Sequence, residues 1–240
     1  MTAFERIAGK GPVLFLCDHA ANALPPGYGS LGLERGLFDS HIAYDIGAAQ
    51  VTRALAAGFG GPAILGAWSR LLIDLNRGPD DPTLIMRLSD GSIIPGNREI
   101  GDAERQKRIA EFHAPYHQAI EEESGKLKKP VLVSSHSFTP AWKGSKRIWE
   151  VGVLWDKDGR LALPLMARLK EAGLMVGDNE PYSGALEGDT LNRHGTKMGL
   201  PHVLIEMRQD LVGDAASALA FAARLKPILA AALADMGGVD

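Results

Sequence analysis

The stretch VLFLCDH, residues 13–19, decides the fold: five apolar residues follow Gly11 and Pro12 and run straight into Asp18 and His19. An apolar run without polar alternation belongs to a strand covered on both faces, as in the middle of an α/β sheet. Asp18 and His19 then stand at the carboxyl end of that strand, where open α/β sheets bind their ligands. A lone imidazole there also reads as an ordinary hydrogen-bonded structural histidine, so its role depends on what the other strand ends carry.

Working outward, further strand-like runs lie at 63–66, 71–74, 131–135, 150–154 and 203–207. Between them the spacing of Ile42, Ile46, Ala49 and Leu55 predicts a helix over 39–57, with Asp39 or Ser40 as its cap. Ile109, Phe112, Tyr116 and Ile120 predict another over 102–127, kinked or divided at Pro115. Two more are expected at 161–172 and 214–234, the alanine-rich last one packed on the outside. Segments 78–101 and 177–199, rich in glycine, proline and polar residues, read as long excursions of the kind that wall a binding site. Alternating strands and helices imply a single three-layer α/β/α domain, residues 1–240, around a central, mostly parallel mixed sheet.

Composition narrows the function classes. The 240 residues are 45% hydrophobic and 23% charged, as in an ordinary soluble enzyme domain. A formal net charge of -3 and no lysine-rich run argue against a nucleic-acid partner. No stretch offers about 18 uninterrupted apolar residues, and MTAFERIAGK lacks a signal-peptide core, so a cytoplasmic chain without a membrane partner is expected. Cys17, the sole cysteine, rules out an internal disulfide and lies within an apolar run, reading as a small core residue rather than a nucleophile.

The chemistry gathers at the strand ends. His19 follows VLFLC, Asp74 to Arg77 follow the third run, His136 follows VLVSS, and Glu206 interrupts VLIEMR. A hydrolytic metal site needs two or three His or carboxylate ligands, an open position for water, and a further carboxylate to take the proton of that water. His19, His136 and Asp45 fit the ligand role and Glu206 the base, although Glu206 could equally be a structural acid paired with Arg208. His41, four residues before Asp45 on the expected helix, is the second choice for the third ligand. Asp18 could orient an imidazole from behind. His113 and His117, in HAPYH, form a second four-residue pair, read as a hydrogen-bonding element more than as ligands.

Seven segments, CDHAAN, HIAYDIGA, SRLLIDLNR, FHAPYH, SSHSF, NRHG and VLIEMRQDL, occur in this order and, with the strand run that leads into the first, span residues 13 to 211. Together they resemble the N-formylglutamate amidohydrolase family, zinc hydrolases distantly similar to aspartoacylases and zinc carboxypeptidases. The resemblance implies one zinc ion and hydrolysis of a small N-acyl amino acid, N-formyl-L-glutamate first. It implies that Asn76 and Arg77, joined by Arg193, hold substrate carboxylate, and that Arg70 polarises the scissile carbonyl. A planar guanidinium beside an amide suits that task because it grips a carboxylate bidentately. The distant relatives carry a metal-binding Glu three residues after the first His, where this chain has Asn22, a poor zinc ligand. A non-catalytic module that binds acidic metabolites through Arg70, Asn76 and Arg77 is the alternative. The expected partner in either case is a small acidic molecule.

Overall fold

Seven strands form one mixed sheet in the computed structural model, which describes residues 2–237. They are β1 (Phe4–Ile7), β2 (Val13–Cys17), β3 (Ala63–Gly66), β4 (Val131–Phe138), β5 (Val151–Leu154), β6 (Val176–Asp178) and β7 (His202–Arg208), in the spatial order β1-β3-β2-β4-β7-β5-β6. The central four, β3-β2-β4-β7, are parallel. β1 is antiparallel to β3 and β5 to β7, while β6 is parallel to β5.

Alternation along the buried strands sorts the core into two layers. Val13, Phe15, Val133, Val203 and Ile205 face α1 (Ala48–Phe59), α4 (Ala162–Glu171) and α5 (Ala215–Asp235). Leu14, Leu16, Leu132 and Leu204 face α3 (Ala114–Lys126) through Tyr116, Ala119 and Ile120. This is the expected three-layer arrangement. α5 starts at a capping box, in which the Asp214 carboxylate accepts from the amides of Ala216 and Ser217 while Ser217 Oγ accepts from the Asp214 amide.

Three local expectations are corrected and a fourth, the division of 102–127 at Pro115, is refined. Residues 71–74 do not form a strand: Leu71 and Leu72 lie in a turn and donate to Ser69, and Leu71, Leu72 and Ile73 are buried in satellite clusters beside the sheet instead of in its ladder. The helix expected over 39–57 begins only at Ala48, because Gly47 takes a left-handed φ of 80° and a Cβ there would lie 2.1 Å from Val212 O. Asp45 therefore stands in a turn. β4 runs on through residue 138, placing His136 within the strand. The segment 102–127 divides into α2 (Asp102–Arg108), a π-helical turn at Ile109–His113, and α3, with Pro115 in the first turn of α3. The π turn absorbs the main-chain bond that proline cannot make.

Of the two excursions, 78–101 holds a small hairpin and a short helix, Pro95–Arg98. The excursions meet at a pair of glycines, where a Cβ on Gly188 would lie 3.1 Å from Gly78 Cα. β1, an edge strand of half-exposed residues, carries no apolar signature in its sequence FERI.

Candidate active site

His19, just past β2, and His136, in β4, converge with Asp45 from the turn before α1. A hydrogen bond of 3.0 Å from the Asp45 amide to His19 O ties that turn to the strand end. Asp45 Oδ2 lies 3.3 Å from His19 Nδ1 and 2.8 Å from His136 Nδ1. One ligand atom from each of the three residues falls within 4.8 Å of the others, a set that could hold a metal ion. The outer nitrogens are occupied. His19 Nε2 is 2.7 Å from Asp74 Oδ1 and His136 Nε2 is 2.9 Å from Asp18 Oδ2, so each imidazole is held from behind by a carboxylate with Nδ1 turned to Asp45.

The carboxylates behind are themselves anchored. Asp18 also accepts from Tyr116 Oη at 2.9 Å and from Thr190 Oγ1 at 2.7 Å. Asp74 accepts from Arg70 Nη2 at 2.7 Å and from the Asn76 amide at 2.9 Å. Burial works against ionisation of Asp18, Asp45 and Asp74, yet all three are held below the usual carboxylate range, by His136 at Asp18, His19 at Asp45 and Arg70 at Asp74. Burial likewise opposes charging of His136, but its bonds to Asp18 and Asp45 raise it well above an ordinary imidazole.

Glu206 is different. In the parallel register of β7 and β4 it pairs with His136, and its Oε2 is buried without a hydrogen-bond partner among the described residues. Burial pushes its carboxyl up to about 7, the attraction of His136 opposing and the charge of Asp45 adding to the rise. A buried carboxylate oxygen left unpaired is costly and calls for a role, and a pKa near neutrality suits a proton acceptor. Four buried acids, Asp18, Asp45, Asp74 and Glu206, surround the two imidazoles, with the guanidinium of Arg70 beside Asp74 and Asp45. A divalent cation among these groups would offset that excess of negative charge.

The cluster opens into a cleft of about 350 Å³ that Arg70, Asn76, Arg77, Tyr182 and Asp189 also line. Asn76 Oδ1 accepts from the Thr190 amide at 3.1 Å, and Arg77 Nη1 donates to Asn76 O at 2.8 Å.

Other expected residues lie elsewhere. Arg193 is a correction: it is absent from the cleft lining, and its guanidinium pairs with Glu121 of α3 at 2.9 Å. His41 lines the cleft, with its Nε2 3.1 Å from Asp90 Oδ2 and apart from the His19, Asp45 and His136 group. Asn22 donates to Phe38 O, and Cys17 is fully buried, so neither a thiol nucleophile nor an Asn ligand is presented. Glu206 makes no ion pair with Arg208, whose guanidinium joins Asp210. Asp74, Thr190 and Tyr116 escaped the reading of the sequence as supports of the site. For Asp74 a signal existed, its place in DLNR two residues before Asn76.

Comparison with known families makes the chain that carries this fold and site a hydrolase acting on amides. More narrowly, residues 11–212 match the family model described as FGase, N-formylglutamate amidohydrolase, and the chain belongs to that family. A gene product of Agrobacterium tumefaciens of known crystal structure is 36% identical, over 99% of this chain and 97% of its own, with a TM-score of 0.94. An N-formylglutamate amidohydrolase from Ralstonia eutropha shares the fold at 21% identity, over 99% and 98% of the two chains, with a TM-score of 0.70. No curated protein matches the sequence significantly.

Proposed function

We propose that the protein is a zinc-dependent amidohydrolase of small N-acyl amino acids with acidic side chains, with N-formyl-L-glutamate as the leading substrate. The observation that carries this reading is Glu206 Oε2, buried and unpaired beside His136, at the floor of a cleft that also presents Asn76 and Arg77. His19, Asp45 and His136 would hold one zinc ion; two imidazoles and a carboxylate are a donor set that zinc accepts. When bound, the ion supplies Lewis-acid polarisation of the amide carbonyl and makes water more acidic.

Glu206 Oε2 takes the proton of the attacking water and passes it to the leaving nitrogen, so that an amine departs in place of an amide anion. Arg70, held by Asp74, donates toward the oxygen on which charge builds as the tetrahedral centre forms. Arg77 grips a substrate carboxylate and Asn76 Nδ2 adds a hydrogen bond, which spends binding energy on orientation. Asp18 and Asp74 keep the two imidazoles turned inward throughout.

The test is metal analysis of protein purified without an affinity tag, followed by a release assay over N-formyl and N-acetyl amino acids with zinc present. About one zinc per chain and release from N-formyl-L-glutamate are expected. Binding of acidic metabolites without turnover, and without gain from zinc, would establish the binding module instead.

A further inference from the structure

α3 and the π turn before it bring two histidines against the main chain that bears Asn76 and Arg77. His113 Nε2 lies 2.9 Å from Arg77 O, and His117 Nε2 lies 3.0 Å from Leu75 O. The two Nε2 atoms are 3.1 Å apart, both turned to the same three-residue stretch. Carbonyl oxygens only accept, so each Nε2 carries the hydrogen and donates. His117 Nδ1 is thereby left as an acceptor, and His194 Nε2 stands 2.8 Å from it with the rings stacked at 5.1 Å. Thr190 completes the frame through its amide, which donates to Asn76 Oδ1 at 3.1 Å. All three imidazoles are buried, and burial favours their neutral forms, which this pattern of donors requires. His113 closes one π turn, Ile109–His113, and His194 lies in another, Asn192–Thr196. Such turns recur at functional sites.

We propose that His113, His117 and His194 are positioning residues that preset the main chain of Leu75, Asn76 and Arg77, so that the two side chains meet a substrate carboxylate in one fixed geometry. A bidentate contact tolerates little displacement, and ordering the clamp in advance lowers the entropy lost on binding. The inference rests on the assignment of Asn76 and Arg77 to a substrate carboxylate.

The test compares His113→Leu, which removes the donor to Arg77 O, with His113→Gln, which supplies an amide donor in its place. Zinc content and thermal midpoint are measured for each, then KM and kcat for N-formyl-L-glutamate and its two mono-amides, and the Kd of glutarate by calorimetry. In His113→Leu, KM and the glutarate Kd are expected to rise about tenfold with kcat within about twofold, while the mono-amide lacking the clamped carboxylate is unaffected. His113→Gln should recover most of the loss. Equal losses on all three substrates, unaltered binding, or a Gln variant no better than Leu would overturn the inference. If His113→Leu does not fold, His194→Leu, which removes the donor to His117 Nδ1, is expected to raise the same KM, and an unchanged KM counts against the proposal. Arg77→Lys runs in parallel. If it fails to distinguish acid from amide, the clamp itself is wrong; if it does distinguish them and His113→Leu does not, only the positioning role falls.

Discussion

Glu206 stands next to His136 in the parallel register of β7 and β4, one strand carrying an unpaired carboxylate and the other an imidazole held by two carboxylates. The proposed proton acceptor and the proposed metal ligand thus face each other across one rung of the ladder, and the two functions should separate by mutation. Glu206→Gln preserves shape, so kcat is expected to fall by roughly 10²–10⁴-fold. Bound zinc should remain at the wild-type level by atomic spectroscopy, and an active Gln variant would remove Glu206 from the chemistry.

Asp18 and Asp74 face the outer nitrogens of the two imidazoles. Replacing either by Asn keeps a hydrogen-bond acceptor and removes the charge, and zinc affinity is expected to weaken about 10–100-fold. Competition against a chelator of known affinity measures it. Wild-type affinity in both variants would mean that the imidazoles are oriented by packing alone.

Arg193, paired with the exposed Glu121, should be dispensable. Arg193→Ala is expected to leave kcat/KM within about twofold, because an exposed ion pair contributes little. A tenfold loss would return Arg193 to the substrate.

Acid should weaken the folded state through His194. Burial, with Arg193 nearby, holds this imidazole at about 4, against the ordinary 6.5. Between those values the unfolded chain binds more protons than the folded one, so stability present above pH about 6.5 is lost as pH falls toward 4. Asp189, raised by burial to about 6, and Glu206 act in the opposite sense. The informative quantity is therefore the difference from His194→Gln, whose urea midpoint should fall less steeply over the same range in chelated protein. Parallel curves would show that His194 does not titrate there.

The central strands were legible because burial on both faces leaves an unbroken apolar run, as in 13–17 and 203–207. That signal reports burial rather than pairing. Leu71, Leu72 and Ile73 are as buried as any strand residue yet lie in a turn and the irregular segment that follows it, and nothing local distinguishes the two cases. Helical spacing over 39–57 misled for a related reason: Ile42 and Ala43 pack into a satellite cluster, and the start of the helix is decided by the contact of Gly47 with Val212, 165 residues away in sequence. The placements of His19, Asp45, His136, Asn76 and Arg77 at one cleft followed from strand ends and from the resemblance. Arg193 failed because NRHG adjoins a cleft-lining segment in sequence while its helical turn points the guanidinium at α3. The carboxylates behind the imidazoles depend on side chains up to 172 residues apart, which no local pattern encodes.

The contact between Gly78 and Gly188 separates two kinds of change that this scaffold can accept. Each excursion is anchored to the other by bare backbone, so the residues on either side of the junction can be exchanged without repacking a side chain at the seam. The reactive groups, by contrast, stand on strands and on turns hydrogen-bonded to them. Exchanging residues 182–186, which line the cleft, would thus alter which acyl group or amine is admitted, provided that Thr190 and His194 further along the same excursion, which brace Asp18 and His117, are kept. Divergence toward new amides has a route here that does not pass through an inactive intermediate.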